Sequence, residues 1–179
     1  MEVDRKNNEN FYLTGKLYMT YFTKNSIQDG KCTGFYEKGE KYFECNYIMG
    51  KIVGKYIMYY EDGKILNICF YNKKGLLDGN NTFFYSNGKK RSEEKYTNGK
   101  RNGEHKNWYE NGNSETIINM VNGNINGLLK TYYENGKEKS RCNFLDGIRN
   151  GVYKEYNEKG KLIIERKYIK NEMIKEKYY

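Results

Sequence analysis

Apolar and polar residues trade places along this chain in short runs, not in the 3.6-residue rhythm of an amphipathic helix. Stretches such as "GKYIMYYEDGK" (54–64) and "GVYKEYNEKGK" (151–161) gather Tyr, Ile and Val and then stop at a glycine-containing corner. Such side chains suit the pleated surface of a strand, and Asn-Gly or Asp-Gly between two runs signals a hairpin. The pattern predicts strand after strand. Only the tail after Lys161 hints at a helical period, which leaves "IKNEMIKEKYY" (169–179) as either a charged guard of a sheet edge or a short helix.

The corners recur. Gly15, Gly39, Gly63, Gly88, Gly112, Gly136 and Gly160 fall 24 or 25 residues apart. Four residues before each anchor stands an aromatic: Phe11, Phe35, Tyr59, Phe84, Trp108, Tyr132, Tyr156. Three before stands Tyr12, Tyr36, Tyr60, Tyr85, Tyr109 or Tyr133, with Asn157 in the last copy. Another glycine lies nine before (Gly30, Gly54, Gly79, Gly103, Gly127, Gly151), and a third follows each anchor in the middle copies. The chain therefore reads as one array over 1–179: seven tandem repeats over roughly 6–171, then a C-terminal cap at 172–179. One extra residue in "FYNKKG" accounts for the single 25-residue step. Each repeat is expected to be a hairpin that turns at Glu134-Asn135-Gly136-Lys137 or its equivalent. The expected turn is type I′, with positive φ at both Asn and Gly. Corners such as "DGIRNG" (146–151) link one hairpin to the next. The expected fold is all-β, an elongated single-sheet meander of about fourteen short antiparallel strands.

The hairpin G-x-Tyr-x-x-Tyr-Tyr-x-x-Gly-Lys with a following Tyr-x-x-Gly-x-x-x-Gly resembles the MORN repeat, specifically its bacterial variant. "GKYIMYYEDGK" and "GVYKEYNEKGK" carry the first part; "YTNGKRNG" (96–103) and "FLDGIRNG" (144–151) carry the second. The resemblance covers nearly the whole chain and implies a twisted, single-sheet stack of hairpins. The bacterial variant family includes proteins described as antitoxins of toxin–antitoxin pairs. MORN repeats elsewhere are linked to protein scaffolding and to membrane phospholipid. Such a motif specifies fold far better than function.

Composition refines the picture. Hydrophobic residues make up 37% of the chain, 20 of them tyrosines, so the core must be thin and largely aromatic. The formal charge of +9 favours acidic partners: nucleic acid, an anionic membrane or an acidic protein. The start, "MEVDRKNNEN", lacks the apolar run of a signal peptide, and no stretch approaches the ~18 apolar residues of a membrane span. Four cysteines without metal-like spacing fit a reducing compartment, and a cytoplasmic location is expected.

Strand alternation sorts the positions into two faces. With a two-residue turn, Tyr133 and its equivalents share a face with the positions five and seven before the anchor and those two, four, six and eight after it. That face collects Tyr47, Tyr56, Met58, Cys69, Tyr71, Phe83, Tyr96, Ile118, Met120, Leu129, Cys142, Phe144, Tyr153 and Tyr168, and is the expected core. Tyr96 falls opposite Gly79, Phe144 opposite Gly127 and Tyr168 opposite Gly151, where a ring can repair the missing side chain.

The other face carries the column from Phe11 to Tyr156, with Lys95 and Lys167 nearby and Glu93, Glu115 and Glu165 as acidic exceptions. The candidate partner-binding residues are Tyr59, Phe84, Trp108, Tyr132 and Tyr156 with Arg91, Lys106, Lys130, Lys139, Arg141 and Lys154. Rings supply contact area and cations supply attraction. The competing reading is that these rings pack on lysine stems and merely hold the sheet together. A bulge in either strand inverts the assignment.

No catalytic constellation, metal site or cofactor is expected. His105 stands in a column otherwise filled by Cys32, Tyr56, Asn81, Leu129 and Tyr153, a packing position. Cys45, Cys69 and Cys142 share one position of the repeat, and adjacent copies stand ~10 Å apart, beyond disulfide reach. Cys32 falls directly opposite Cys45 across one hairpin, the only pair within range. The favoured function is a non-enzymatic protein-interaction module, an antitoxin or immunity-like inhibitor that blocks a partner such as an acidic toxin or nuclease. The alternative is a basic aromatic stripe that binds nucleic acid or anionic phospholipid. A third reading is scaffolding within a larger assembly.

Overall fold

The structure, a computed structural model, describes residues 5–179. Residues 1–4, the head of the run read above as lacking a signal segment, lie outside the described residues. Every regular element among the described residues is a strand, and the chain divides into two compact units, one ending at Gly88 and the other starting at Lys89.

The first unit holds β1 (Arg5–Phe11), β2 (Leu17–Lys24), β3 (Ile27–Phe35), β4 (Lys41–Ile48), β5 (Lys51–Tyr59), β6 (Ile65–Tyr71) and β7 (Gly79–Phe84). From β1 to β7, consecutive strands of this unit pair antiparallel. The second holds β8 (Lys90–Thr97), β9 (Lys100–Arg101), β10 (Gly103–Trp108), β11 (Ser114–Val121), β12 (Asn124–Ile125), β13 (Gly127–Tyr132), β14 (Glu138–Leu145), β15 (Ile148–Tyr156), β16 (Leu162–Ile169) and β17 (Glu172–Tyr178). Here β8 pairs with both β9 and β10, and β11 with both β12 and β13, because a break splits what is one strand in β3 or β15. The tail from Glu172 to Tyr178 forms no helix. It adds a strand beside β16.

The type I′ turn expected at the anchor lies instead at the linking corner. At the anchor, Gly136 N donates to Tyr133 O at 2.9 Å and Tyr133 N donates to Lys137 O at 2.9 Å, which closes a three-residue loop. Within it only Gly136 has positive φ, 82°. This is a type I turn followed by a left-handed glycine, not type I′. Asn135 supports it by accepting a hydrogen bond from Lys137 N at 3.0 Å. Type I′ geometry occupies the other corner. There Asp146 (φ 49°) and Gly147 (φ 82°) both lie in the left-handed region between the paired residues Leu145 and Ile148. Asn98-Gly99, Asn122-Gly123 and Met49-Gly50 do the same. The extra residue of "FYNKKG" enlarges one such corner: Asn72 N donates to Leu76 O and Gly75 N to Asn72 O, the three-residue pattern again.

The longer anchor loop does not shift the register, because a bulge cancels it. Tyr132 pairs with Glu138 but Thr131 pairs with Ser140, so Lys139 is the additional residue. Beyond the bulge the expected partners meet: Cys32 with Cys45, Gly127 with Phe144, Gly151 with Tyr168. The bulge does correct the faces next to the turn. The position two after the anchor pairs with the aromatic column and leaves the core face. The position three after turns towards the core-side tyrosine: Tyr18 lies against Tyr12 at 5.1 Å, Tyr42 against Tyr36 at 4.9 Å, and Lys139 Nζ 5.5 Å from the Tyr133 ring.

The core lies on the expected face and is thin. Its buried members are Cys32, Cys45, Cys69, Met120, Cys142 and Tyr168, joined by polar Asn67, Asn81 and His105. Tyr47, Tyr56, Met58, Tyr71, Phe83, Tyr96, Ile118, Leu129, Phe144 and Tyr153 are half-buried. The glycines nine before the anchor are not filled by the rings opposite them. Their φ is positive, and an added Cβ at Gly30 would meet Phe22, at Gly79 Phe70 and at Gly151 Asn143, on the preceding strand. The ring opposite does cover Gly34, whose absent Cβ would lie 2.3 Å from Phe43 Cε1.

Gly112 has φ of 99° and only the tip of Lys89 nearby, at 3.8 Å. Gly112→Ala is therefore expected to lose about 1 kcal/mol through backbone strain alone. Urea unfolding checks this; an unchanged midpoint would exclude the left-handed conformation.

Candidate protein-binding face

The aromatic column stands on the face away from the buried cysteines. Phe11 is exposed, whereas Phe35, Tyr59, Phe84, Trp108, Tyr132 and Tyr156 are half-buried by their neighbours. Tyr59 donates its hydroxyl to Glu44 Oε1 at 2.6 Å. Burial first, then this bond, pushes the Tyr59 hydroxyl up to about 12. The same bond, helped by Lys41, holds Glu44 below the ordinary carboxylate range. Arg141 lies over the Tyr156 ring at 5.8 Å, and Lys90 over Trp108 at 5.9 Å. A ring and a long polar side chain thus share each contact, as stacking on guanidinium and ammonium groups allows.

The column is held from behind. Five tyrosines three before an anchor donate their hydroxyls to the backbone carbonyl of the column residue in the next repeat. Tyr12 reaches Phe35 O at 2.9 Å, Tyr36 reaches Tyr59 O at 2.7 Å and Tyr60 reaches Phe84 O at 2.7 Å. Tyr109 reaches Tyr132 O at 2.7 Å and Tyr133 reaches Tyr156 O at 2.8 Å. Tyr133→Phe removes one such bond and leaves a part-buried carbonyl unpaired. A loss of about 1 kcal/mol is expected, read as a lower urea midpoint with unchanged slope.

The candidate cations divide. Lys106 pairs with Glu104 at 2.6 Å, Lys154 with Glu165 at 3.1 Å, and Arg141 with Glu138 at 3.5 Å. Lys130 sits between Ile117 and Arg141 in the ladder. Lys139 is turned to Tyr133, away from the column, and Arg91 occupies the equivalent bulge position. The structure therefore brings Lys106, Lys130, Arg141 and Lys154 onto one face with Trp108, Tyr132 and Tyr156, places Tyr59 and Phe84 in the first unit, and separates Lys139.

Sequence reasoning missed a second apolar row on the same face. Leu145 and Ile48, nine residues after their anchors, are each 54% exposed; Val121 and Ile169 hold the same position and are also exposed. Their signal was present as an aliphatic immediately before the linking corner. Between the aromatic and aliphatic rows lies a groove in each unit, lined by Lys31, Glu44, Asn46, Val53, Lys55 and Ile57 in the first. Leu128, Arg141, Asn143, Val152, Lys154 and Glu165 line it in the second.

His105 is buried on the core face with Nε2 3.3 Å from the Lys95 carbonyl oxygen. Burial pulls its pKa down, against the pull of that carbonyl and Glu94. Among the described residues no three His, Cys, Asp or Glu side chains gather as a metal site, and no helix is long and apolar enough to cross a membrane.

A family model described as MORN repeat variant matches residues 28–49, 52–73, 77–98, 101–122, 125–146 and 149–170. The chain belongs to the MORN repeat variant family. Each matched segment runs from one linking corner to the next and centres on an anchor glycine, from Gly39 to Gly160. The copy at Gly15 is not among the matched MORN segments, as suits a terminal repeat with Asn8 and Asn10 in core positions. No curated protein matches the chain. MORN repeats form a non-catalytic module and point to binding or scaffolding.

Proposed function

We propose that this MORN repeat protein is a non-enzymatic protein-interaction module. It acts as an inhibitor of the antitoxin or immunity kind, binding and blocking a partner protein through its aromatic face. The observation that carries this reading is the pairing of charges on that face. Lys106, Arg141 and Lys154, three of the four cations beside Trp108, Tyr132 and Tyr156, each stand within ion-pair reach of a carboxylate, so the exposed aliphatics and the rings lie beside largely matched charge. Apolar anchors within a polar rim suit a protein partner. A polyanion needs unpaired cations, and its binding rests on releasing counterions.

The test is capture from host lysate on the tagged chain, at low and high salt, with and without nuclease, beside the Trp108→Ala variant. The expected result is one protein retained at high salt and after nuclease treatment, and lost with Trp108→Ala. Material that disappears with nuclease or salt would replace this reading with nucleic-acid or anionic-lipid binding.

A further inference from the structure

We propose that Cys32 and Cys45 are a peroxide-responsive dithiol site that closes to a disulfide and staples β3 to β4. The two residues are direct partners in the ladder, and both are free thiols. Direct antiparallel partners stand about 4.5–5.5 Å apart at Cα, within the span of a disulfide. Both side chains are buried on the same face of the sheet. No other thiol competes. Cys69 lies on β6, two strands from β4 and ~10 Å away. Cys142 belongs to the second unit, where its ladder partners are Leu129 and Tyr153.

Burial selects the oxidant. Cys32 is 1% exposed and Cys45 6%. A bulky disulfide reagent cannot reach either sulfur in the folded hairpin, whereas hydrogen peroxide is close to water in size. Cys32 is the nucleophile. The neighbouring Cys45 sulfur holds its thiol below the usual range against the effect of burial, while Cys32 and burial push Cys45 up. The Cys32 thiolate attacks one peroxide oxygen, the O–O bond breaks, and the departing hydroxide takes the thiol proton to become water. Cys32 is left as a sulfenic acid. The Cys45 sulfur then attacks the Cys32 sulfur, the S–O bond breaks, and the hydroxyl leaves with the Cys45 proton as a second water. Two thiols lose two electrons, and one peroxide becomes two waters. An external thiol reverses the reaction.

The staple would fix the register of the hairpin that carries Phe35 and Tyr36, and Tyr36 in turn ties this repeat to the next. The test treats the full chain with hydrogen peroxide, alkylates remaining thiols after unfolding and maps peptides by mass. A thermal melt of each sample runs in parallel. The expected product is a Cys32–Cys45 bridge, formed equally in Cys69→Ser, reversed by reductant and raising the melting midpoint by several degrees. The proposal is overturned if Cys32 and Cys45 stay as thiols, pass to sulfinic or sulfonic acid, or bridge to Cys69 instead.

Discussion

Gly34→Ala is expected to cost about 1–3 kcal/mol, although the change is one methyl group in ordinary extended backbone. The added Cβ would lie 2.3 Å from Phe43 Cε1 and 2.6 Å from Cδ1, so the ring must move. It has nowhere easy to go. Phe43 stacks on Tyr56 at 5.7 Å with the rings 9° from parallel, and meets Tyr42 edge-on at 5.7 Å. Moving it breaks both contacts and opens the thin core beside Cys32 and Cys45. Other repeats place Asn10, Met58, Phe83, Asn107, Thr131 or Glu155 at this position, so the glycine answers to its partner and not to the backbone. Chemical denaturation of Gly34→Ala and Gly34→Ala/Phe43→Leu measures this. The smaller partner should recover part of the loss, and equal stability of Gly34→Ala and the parent would refute the packing.

Asn67→Ala is expected to cost a similar amount, about 1–3 kcal/mol, for an electrostatic reason. Asn67 is 4% exposed, and its Nδ2 donates to Asn81 Oδ1 at 2.7 Å and to the Thr82 carbonyl at 3.0 Å. Alanine leaves two buried acceptors without this donor, and water cannot easily replace it. Asn67→Asp is expected to be at least as damaging, because it sets a carboxylate against the same two oxygens. A double-mutant cycle with Asn81→Ala should show coupling between the two sites. Additive losses would mean that the Asn67–Asn81 bond contributes little.

The period, the strand class, the sheet register and the Cys32–Cys45 pairing were all legible in the sequence. Each follows from a short-range rule applied many times: aromatics at fixed distances from a glycine, alternation along a strand, turn residues between runs. Seven copies average out the error of any one. Turn type was not legible. "Asn-Gly" at 135–136 and "Asp-Gly" at 146–147 look alike in one dimension, yet Asn135 keeps negative φ and Asp146 does not. What separates them is how many residues the closing pair leaves in the loop, and that count depends on strand pairing across the hairpin. The register survived only because the bulge at Lys139 offsets the longer loop, a compensation that no local signal announces.

The candidate face divides along the same line. That Trp108, Tyr132 and Tyr156 share a side with Lys106, Lys130, Arg141 and Lys154 follows from alternation. That Lys139 leaves this side follows from the bulge. That Lys106, Arg141 and Lys154 are matched by Glu104, Glu138 and Glu165 depends on side chains reaching along and across strands. By itself the sequence determined that this chain is a ladder of β-hairpins with its aromatics in columns, because backbone periodicity is a local property repeated down the chain. The tertiary structure decided which corner takes which turn, which cations are already paired and which glycine lies under a ring. Those depend on groups distant in sequence competing for the same few ångströms.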